Sequence, residues 1–183
     1  MPKLDRNFYN RDTVTVARDL LGKVLVHQVQ GLPRMARIVE VEAYLGPTDL
    51  AAHSSKGLTQ RTRAMFGPPG HAYVYLIYGI HHCMNVVTEG EGSGTGVLLR
   101  AVEPIENVDG NTRGPGLLTR AMGIDLRHYG HDLCSETLHL LQPACPEPLI
   151  ITERPRIGVS YAKEWADKPL RFYIAGSPYV SRK

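Results

Sequence analysis

Ala72-Tyr73-Val74-Tyr75-Leu76-Ile77-Tyr78, then Gly79-Ile80, then the strand-like run His82 to Thr88, is the most strongly patterned part of the chain. Aromatic and β-branched side chains suit a pleated, half-buried surface, and Gly79 marks the break between the two runs. The stretch predicts a β-hairpin with Tyr78 beside its tip. Downstream, a Gly-rich turn from Glu89 to Gly96 leads into a strand over Val97 to Val102. Gly114-Pro115-Gly116 precedes a helix that carries Leu117, Leu118 and Ala121 and ends at Gly123. Past Pro143, short strands are expected at Leu149 to Thr152 and Leu170 to Ile174.

Upstream of the hairpin, residues 47–70 are loop-rich and basic, with Lys56, Arg61 and Arg63 ahead of the turn Gly67-Pro68-Pro69-Gly70. This is a candidate binding loop. Before it, Ala36 to Tyr44 alternates like a strand, with Ile38, Glu40, Glu42 and Tyr44 on one face and Arg37, Val39, Val41 and Ala43 on the other. Two acids sharing a face with Ile38 and Tyr44 is an odd pattern for a core strand. A strand at Lys23 to Gln28 and a turn around Gly31-Leu32-Pro33 come earlier. The first element is a helix capped by Asn10 or Asp12, striped by Val14, Val16, Ala17, Leu20 and Leu21, and stopped by Gly22.

Many short strands in the middle with helices at the edges predict an α+β fold. Residues 1–183 are expected to form a single domain, a mostly antiparallel curved β-sheet flanked by helices with a protruding β-hairpin. Strand and helix do not alternate regularly, which argues against a doubly wound parallel sheet. A chain of 183 residues with 43% hydrophobic content is ample for one such domain. A net charge of +3 permits an anionic partner but is far from that of a dedicated chromatin protein. Met1 to Arg6 lacks an apolar core for a signal peptide, and no run nears the roughly 18 apolar residues of a membrane span. No membrane partner and a cytoplasmic location, at the nucleoid when on DNA, are therefore expected. Three cysteines argue against a disulfide framework.

Glu40 and Glu42, two apart on a strand, leave the same face about 7 Å apart at the backbone. Paired acids can perform glycosidic chemistry, one as acid and one as base; the bland reading is a solvated face that carries Glu twice. Aromatic residues make up only 7% of the chain, yet Tyr73, Tyr75 and Tyr78 fall within six residues. Flat rings are what an unstacked base needs beneath it, although tyrosine also favours strands as such. A ring exposed on a rigid tip, as Tyr78 would be, has the shape of a wedge for a base stack. The run His128-x-x-His131-x-x-Cys134 does not match the familiar zinc spacings, and no metal is expected. Gly114-Pro115-Gly116 could open a helix N-terminus toward a phosphate, but a plain turn accounts for it equally. No Walker loop or dinucleotide fingerprint is present.

Arg37-Ile-Val-Glu-Val-Glu-Ala-Tyr-Leu-Gly-Pro47 running to Ala51-Ala-His53, Tyr73 to Gly79, Cys83-Met-Asn85 and Val97 to Pro104 together resemble the alkyladenine (3-methyladenine) DNA glycosylases, bacterial type. So do Glu164 to Tyr173 and Gly176-Ser-Pro178. The resemblance implies a monofunctional glycosylase that removes alkylated or deaminated purines from double-stranded DNA, such as 3-methyladenine, 7-methylguanine, hypoxanthine and ethenoadenine. By it, Glu42 is the general base that activates a water, and Arg100 lies near that water and the carboxylate. Tyr44, His53 and Tyr75 wall the pocket, His53 also hydrogen-bonds the flipped base, Asn85 crowds the amino group of normal guanine, and Tyr78 intercalates. No lysine matches a Schiff-base nucleophile, so an abasic site without strand cleavage is implied, with no cofactor and a monomeric enzyme. Departures are His81-His82 after the hairpin tip, Leu117 where a lysine is common, and a short Ile105–Thr112 segment; weaker DNA binding or an altered salt slope would follow. Two rivals remain on the residues alone: a module that binds a modified base without cleaving it, and a sugar hydrolase in which Glu40 matters as much as Glu42.

Overall fold

The computed structural model describes residues 1–183. Two short helices come first, α1 (Arg6–Tyr9) and α2 (Thr13–Leu20), each capped by an aspartate that accepts a backbone N–H two residues inside the helix. Asp12 serves α2 by accepting from Thr15, and Asp5 serves α1, a helix too short to show apolar periodicity, by accepting from Phe8. The strands are β1 (Val24–Val29), β2 (Leu32–Tyr44), β3 (Ala72–Ile77), β4 (His81–Thr88) and β5 (Thr95–Glu106); after α3 (Pro115–Met122) come β6 (Leu138–Leu141), β7 (Ile151–Arg154) and β8 (Arg171–Ile174). Pro115 opens α3 and Gly123 closes it in the left-handed region, φ 73°. No helix is long and apolar enough to cross a membrane.

All strands join one antiparallel sheet in the order β3-β4-β5-β2-β1-β6, with β8 attached to β2 and β7 to β8. The fold is thus α+β around a curled, mostly antiparallel sheet. β2 is its hub: residues 32–37 pair with β1, residues 40–42 pair with β8, and β5 runs along the other edge. The turn into β2 is tighter than the sequence suggests. Gln30 and Gly31 both take positive φ, 51° and 81°, and make a two-residue hairpin loop, while Leu32 and Pro33 already belong to the strand.

The two-face pattern expected for β2 is corrected in one respect. The β2–β5 register shifts on both sides of Glu40, and Val39 has no partner across the pair. Ala36, Ile38, Val41 and Ala43 all enter the main core, so the inward spacing jumps from two residues to three at this bulge. Ile38 therefore leaves the face of Glu40, Glu42 and Tyr44, which removes the oddity of its company with two acids. The main core lies between the sheet and the helices, where Leu20, Leu118 and Met122 are fully buried at about 1.5–3 kcal/mol each.

Candidate active site

On the side of β2 turned away from that core, a pocket of about 240 Å³ opens between β2, β5, the β3–β4 hairpin and two loops. Glu42, Tyr44, His53, Tyr75, Asn85 and Arg100 all line it, and Tyr78 stands at its edge. Every site residue expected from sequence is thus gathered around one cavity. Its lining includes a single carboxylate, that of Glu42.

Glu42 is 0% exposed, and both of its oxygens are engaged. Tyr44 OH donates to Oε2 at 2.8 Å, the backbone N–H of Ile157 donates to Oε1 at 2.7 Å, and Arg100 Nη1 lies 3.4 Å from Oε1. Burial first, and the neighbouring Glu42 carboxylate next, push the Tyr44 phenol well above its usual range, so it keeps the proton it donates. Arg100 reaches this position from a second irregularity. It lies on β5 between the pairs Glu40–Ala101 and Val41–Leu99 with no register partner on β2, and its guanidinium spans both glutamates.

Glu40 is also 0% exposed but is closed in on every side. Arg171 Nη1 donates to Oε1 at 3.0 Å, Arg100 Nε to the same oxygen at 3.3 Å, and the Ser181 N–H to Oε2 at 2.6 Å. It does not line the pocket.

Aromatic rings make the remaining walls. His53 and Tyr75 have ring centroids 4.4 Å apart, and Tyr73 lies 5.3 Å from Tyr75 in a tilted stack. The His53 imidazole is held below its usual value, by burial and then by Arg61, and its Nδ1 is 2.8 Å from Tyr73 OH. A neutral ring with one nitrogen so committed has the other to offer a ligand. Asn85 Nδ2 donates to Tyr73 O at 3.2 Å across the hairpin, which fixes the amide against the pocket wall. At the hairpin tip Tyr78 and Gly79 both take positive φ, 51° and 67°, and Tyr78 is 90% exposed. A left-handed tyrosine costs about 1–2 kcal/mol, so an outward ring is kept against a local preference. His81 packs against the start of α3, where a Cβ on Gly116 would fall 2.9 Å from its own. Thr119 Oγ1 donates to His82 O, so the tip end of the hairpin is clamped to that helix.

With this geometry in place, relatives are informative. The methylpurine-DNA glycosylase (MPG) family model matches residues 7–178. This chain belongs to the methylpurine-DNA glycosylase family. A protein of Legionella pneumophila (strain Lens) described as a candidate 3-methyladenine DNA glycosylase is 60% identical over 182 residues, covering 100% of both chains. Proteins of the same description from Anaeromyxobacter dehalogenans (strain 2CP-1) and Myxococcus xanthus (strain DK1622) are 55% and 52% identical; each aligns with 98% of this chain, over 86% and 93% of their own lengths. The molecule is a DNA glycosylase, a hydrolase of N-glycosyl bonds that acts on methylated purines in DNA. That sets aside the binding-only reading.

The glycosylase pocket also uses residues that the sequence does not single out. Ile157, Gly158, Val159 and Tyr161 form one wall from a loop after β7, and Ile157 supplies a backbone donor to Glu42. Arg156 in that loop makes a fully buried ion pair with Asp49. Elsewhere, the His128 and His131 run does not converge on a metal: His128 Nε2 meets His27 Nε2 at 3.1 Å, His131 meets Ser135, and no group of three or more potential ligands is assembled. All three cysteines are free.

Proposed function

We propose that this glycosylase hydrolyses the bond between a damaged purine and its deoxyribose by base flipping and water activation, with Glu42 as general base. The observation that carries the reading is that Glu42 is the one carboxylate lining an aromatic pocket, with both oxygens oriented by donors. In this scheme Glu42 takes a proton from a water whose oxygen bonds to the anomeric carbon. The bond from that carbon to the base nitrogen breaks, and the base leaves with its electron pair. Cationic 3-methyladenine and 7-methylguanine leave as neutral molecules, so one base and an electrostatic environment for an oxocarbenium-like sugar suffice. Arg100 holds Glu42 from beside it and reaches no further catalytic acid.

The flipped base stacks among Tyr44, His53 and Tyr75, worth about 1–3 kcal/mol for each base stacked. His53 reads its edge, Asn85 crowds the amino group that marks undamaged guanine, and Tyr78 fills the gap left in the duplex. The unbroken sheet from β1 to β8 supports treating residues 1–183 as one glycosylase domain. The test is a panel of duplexes carrying 3-methyladenine, 7-methylguanine, hypoxanthine or ethenoadenine, assayed for free base and for strand breaks with and without alkali. Free base with strands intact until alkali treatment is expected. Strand cleavage without alkali, or tight binding with no base released, would contradict the scheme.

A further inference from the structure

Asp49 and Arg156 lie outside the pocket, 107 residues apart in sequence, yet both side chains are 0% exposed. Arg156 Nη1 donates to Asp49 Oδ2 at 2.6 Å and to Ala43 O at 2.9 Å, and Nη2 donates to Asp49 Oδ1 at 2.9 Å and to Trp165 O at 3.3 Å. Asp49 in turn accepts the N–H groups of Leu45 and Ala51. The guanidinium carbon stands 4.7 Å from the centre of the Tyr44 ring. One forked pair therefore ties three pieces of backbone together: the end of β2, the loop that runs on to His53, and the loop whose next residue, Ile157, donates to Glu42.

Resting on the reading of Glu42 as the base, we propose that Asp49 and Arg156 are a positioning pair for the reaction, holding the loop that carries Ile157 so that its N–H stays on Glu42. Neither residue touches substrate. Their effect passes through Ile157, whose N–H has no other role than to orient one carboxylate oxygen. A carboxylate that must hold a water in line with a sugar carbon tolerates little displacement, and misplacement near 1 Å can slow a reaction on the order of 100-fold.

The test is a cycle of Asp49→Asn, Ile157→Pro and the double variant, with Glu42→Gln alongside, in the full chain. Single-turnover base release from a methylated duplex is compared with affinity for a duplex that holds a non-hydrolysable abasic-site analogue, well below each variant's Tm. Release by Asp49→Asn is expected to fall on the order of 100-fold, with affinity within about threefold of wild type. The double variant should be no slower than the slower single, because both act through one contact. A folded Asp49→Asn protein with wild-type release, a double variant whose losses multiply, or affinity lost in step with rate would overturn the proposal. If Asp49→Asn does not fold, Ile157→Pro keeps the ion pair and decides alone: wild-type release there overturns the idea. Wild-type release by Glu42→Gln would instead sink the general-base reading, so the two failures are distinguishable.

Discussion

Glu40 and Glu42 share a strand and a face and are equally buried, yet their surroundings give them opposite work. Glu40 is ringed by two arginines and a backbone N–H and does not border the cavity. Glu42 has one arginine at 3.4 Å, a phenol and a backbone donor, and it borders a cavity. Arg100 joins the two. Chemical type and spacing do not tell a structural acid from a catalytic one; what differs is whether the group faces a space that a substrate can enter.

The comparison breaks most directly at its catalytic end. Glu42→Gln keeps the size of the side chain and removes the base, so base release should fall by about 10²–10⁴-fold with little change in Tm. Glu40→Gln should reverse that balance. It leaves Arg171 and part of Arg100 unpaired in the interior, which should lower stability by about 3 kcal/mol, seen in urea unfolding, while release by the folded protein falls far less than for Glu42→Gln. Equal loss of release in the two variants would favour a two-carboxylate mechanism. Tyr78→Ala tests a region remote from both acids: duplex affinity should weaken by about 1–3 kcal/mol in a salt-controlled titration, and the ratio of the two Glu variants should not move.

A smaller effect sets the pH window for all of these assays. Asp125 N–H donates to His128 Nδ1, so the His128 proton sits on Nε2 facing His27 Nε2, and His27 Nδ1–H donates to Met122 O. Burial, reinforced for His128 by His27 and for His27 by Arg34, holds both imidazoles below their usual 6.5. Asp125 opposes this for both rings, and His131 adds to it. The unfolded chain therefore takes up protons first: stability is full above about pH 6.5 and declines as pH falls from there toward the lower folded values. Tm should drop between about pH 7 and about pH 5, and the drop should shrink in His128→Asn without vanishing, because burial also holds His27, His53 and His139 below their usual value.

Much of the site was legible because its residues sit on strands, where alternation fixes direction. Tyr73, Tyr75 and Asn85 fall on the hairpin, Glu42 and Tyr44 on β2, and each reaches the cavity. The resemblance supplied their roles and that of Arg100, which alternation alone misdescribes, since Arg100 depends on a bulge. No local signal marks Val39 as the extra residue, because a bulge is set by both strands at once. The Ile157 contribution is a backbone N–H, which has no letter in the sequence, and it meets Glu42 across 115 residues. Arg156 lies in a polar, Pro-bearing turn of the kind that normally faces solvent, and only the fold buries it.

The central claim is that the open acid, and not the closed one, does the chemistry. Single-turnover release of base from a methylated duplex, measured side by side for wild type, Glu40→Gln and Glu42→Gln with folding checked on the same samples, tests it most directly. A Glu42→Gln protein that folds, binds and releases almost nothing, beside a Glu40→Gln protein that is less stable but active, is the predicted result; near wild-type release by Glu42→Gln would contradict it.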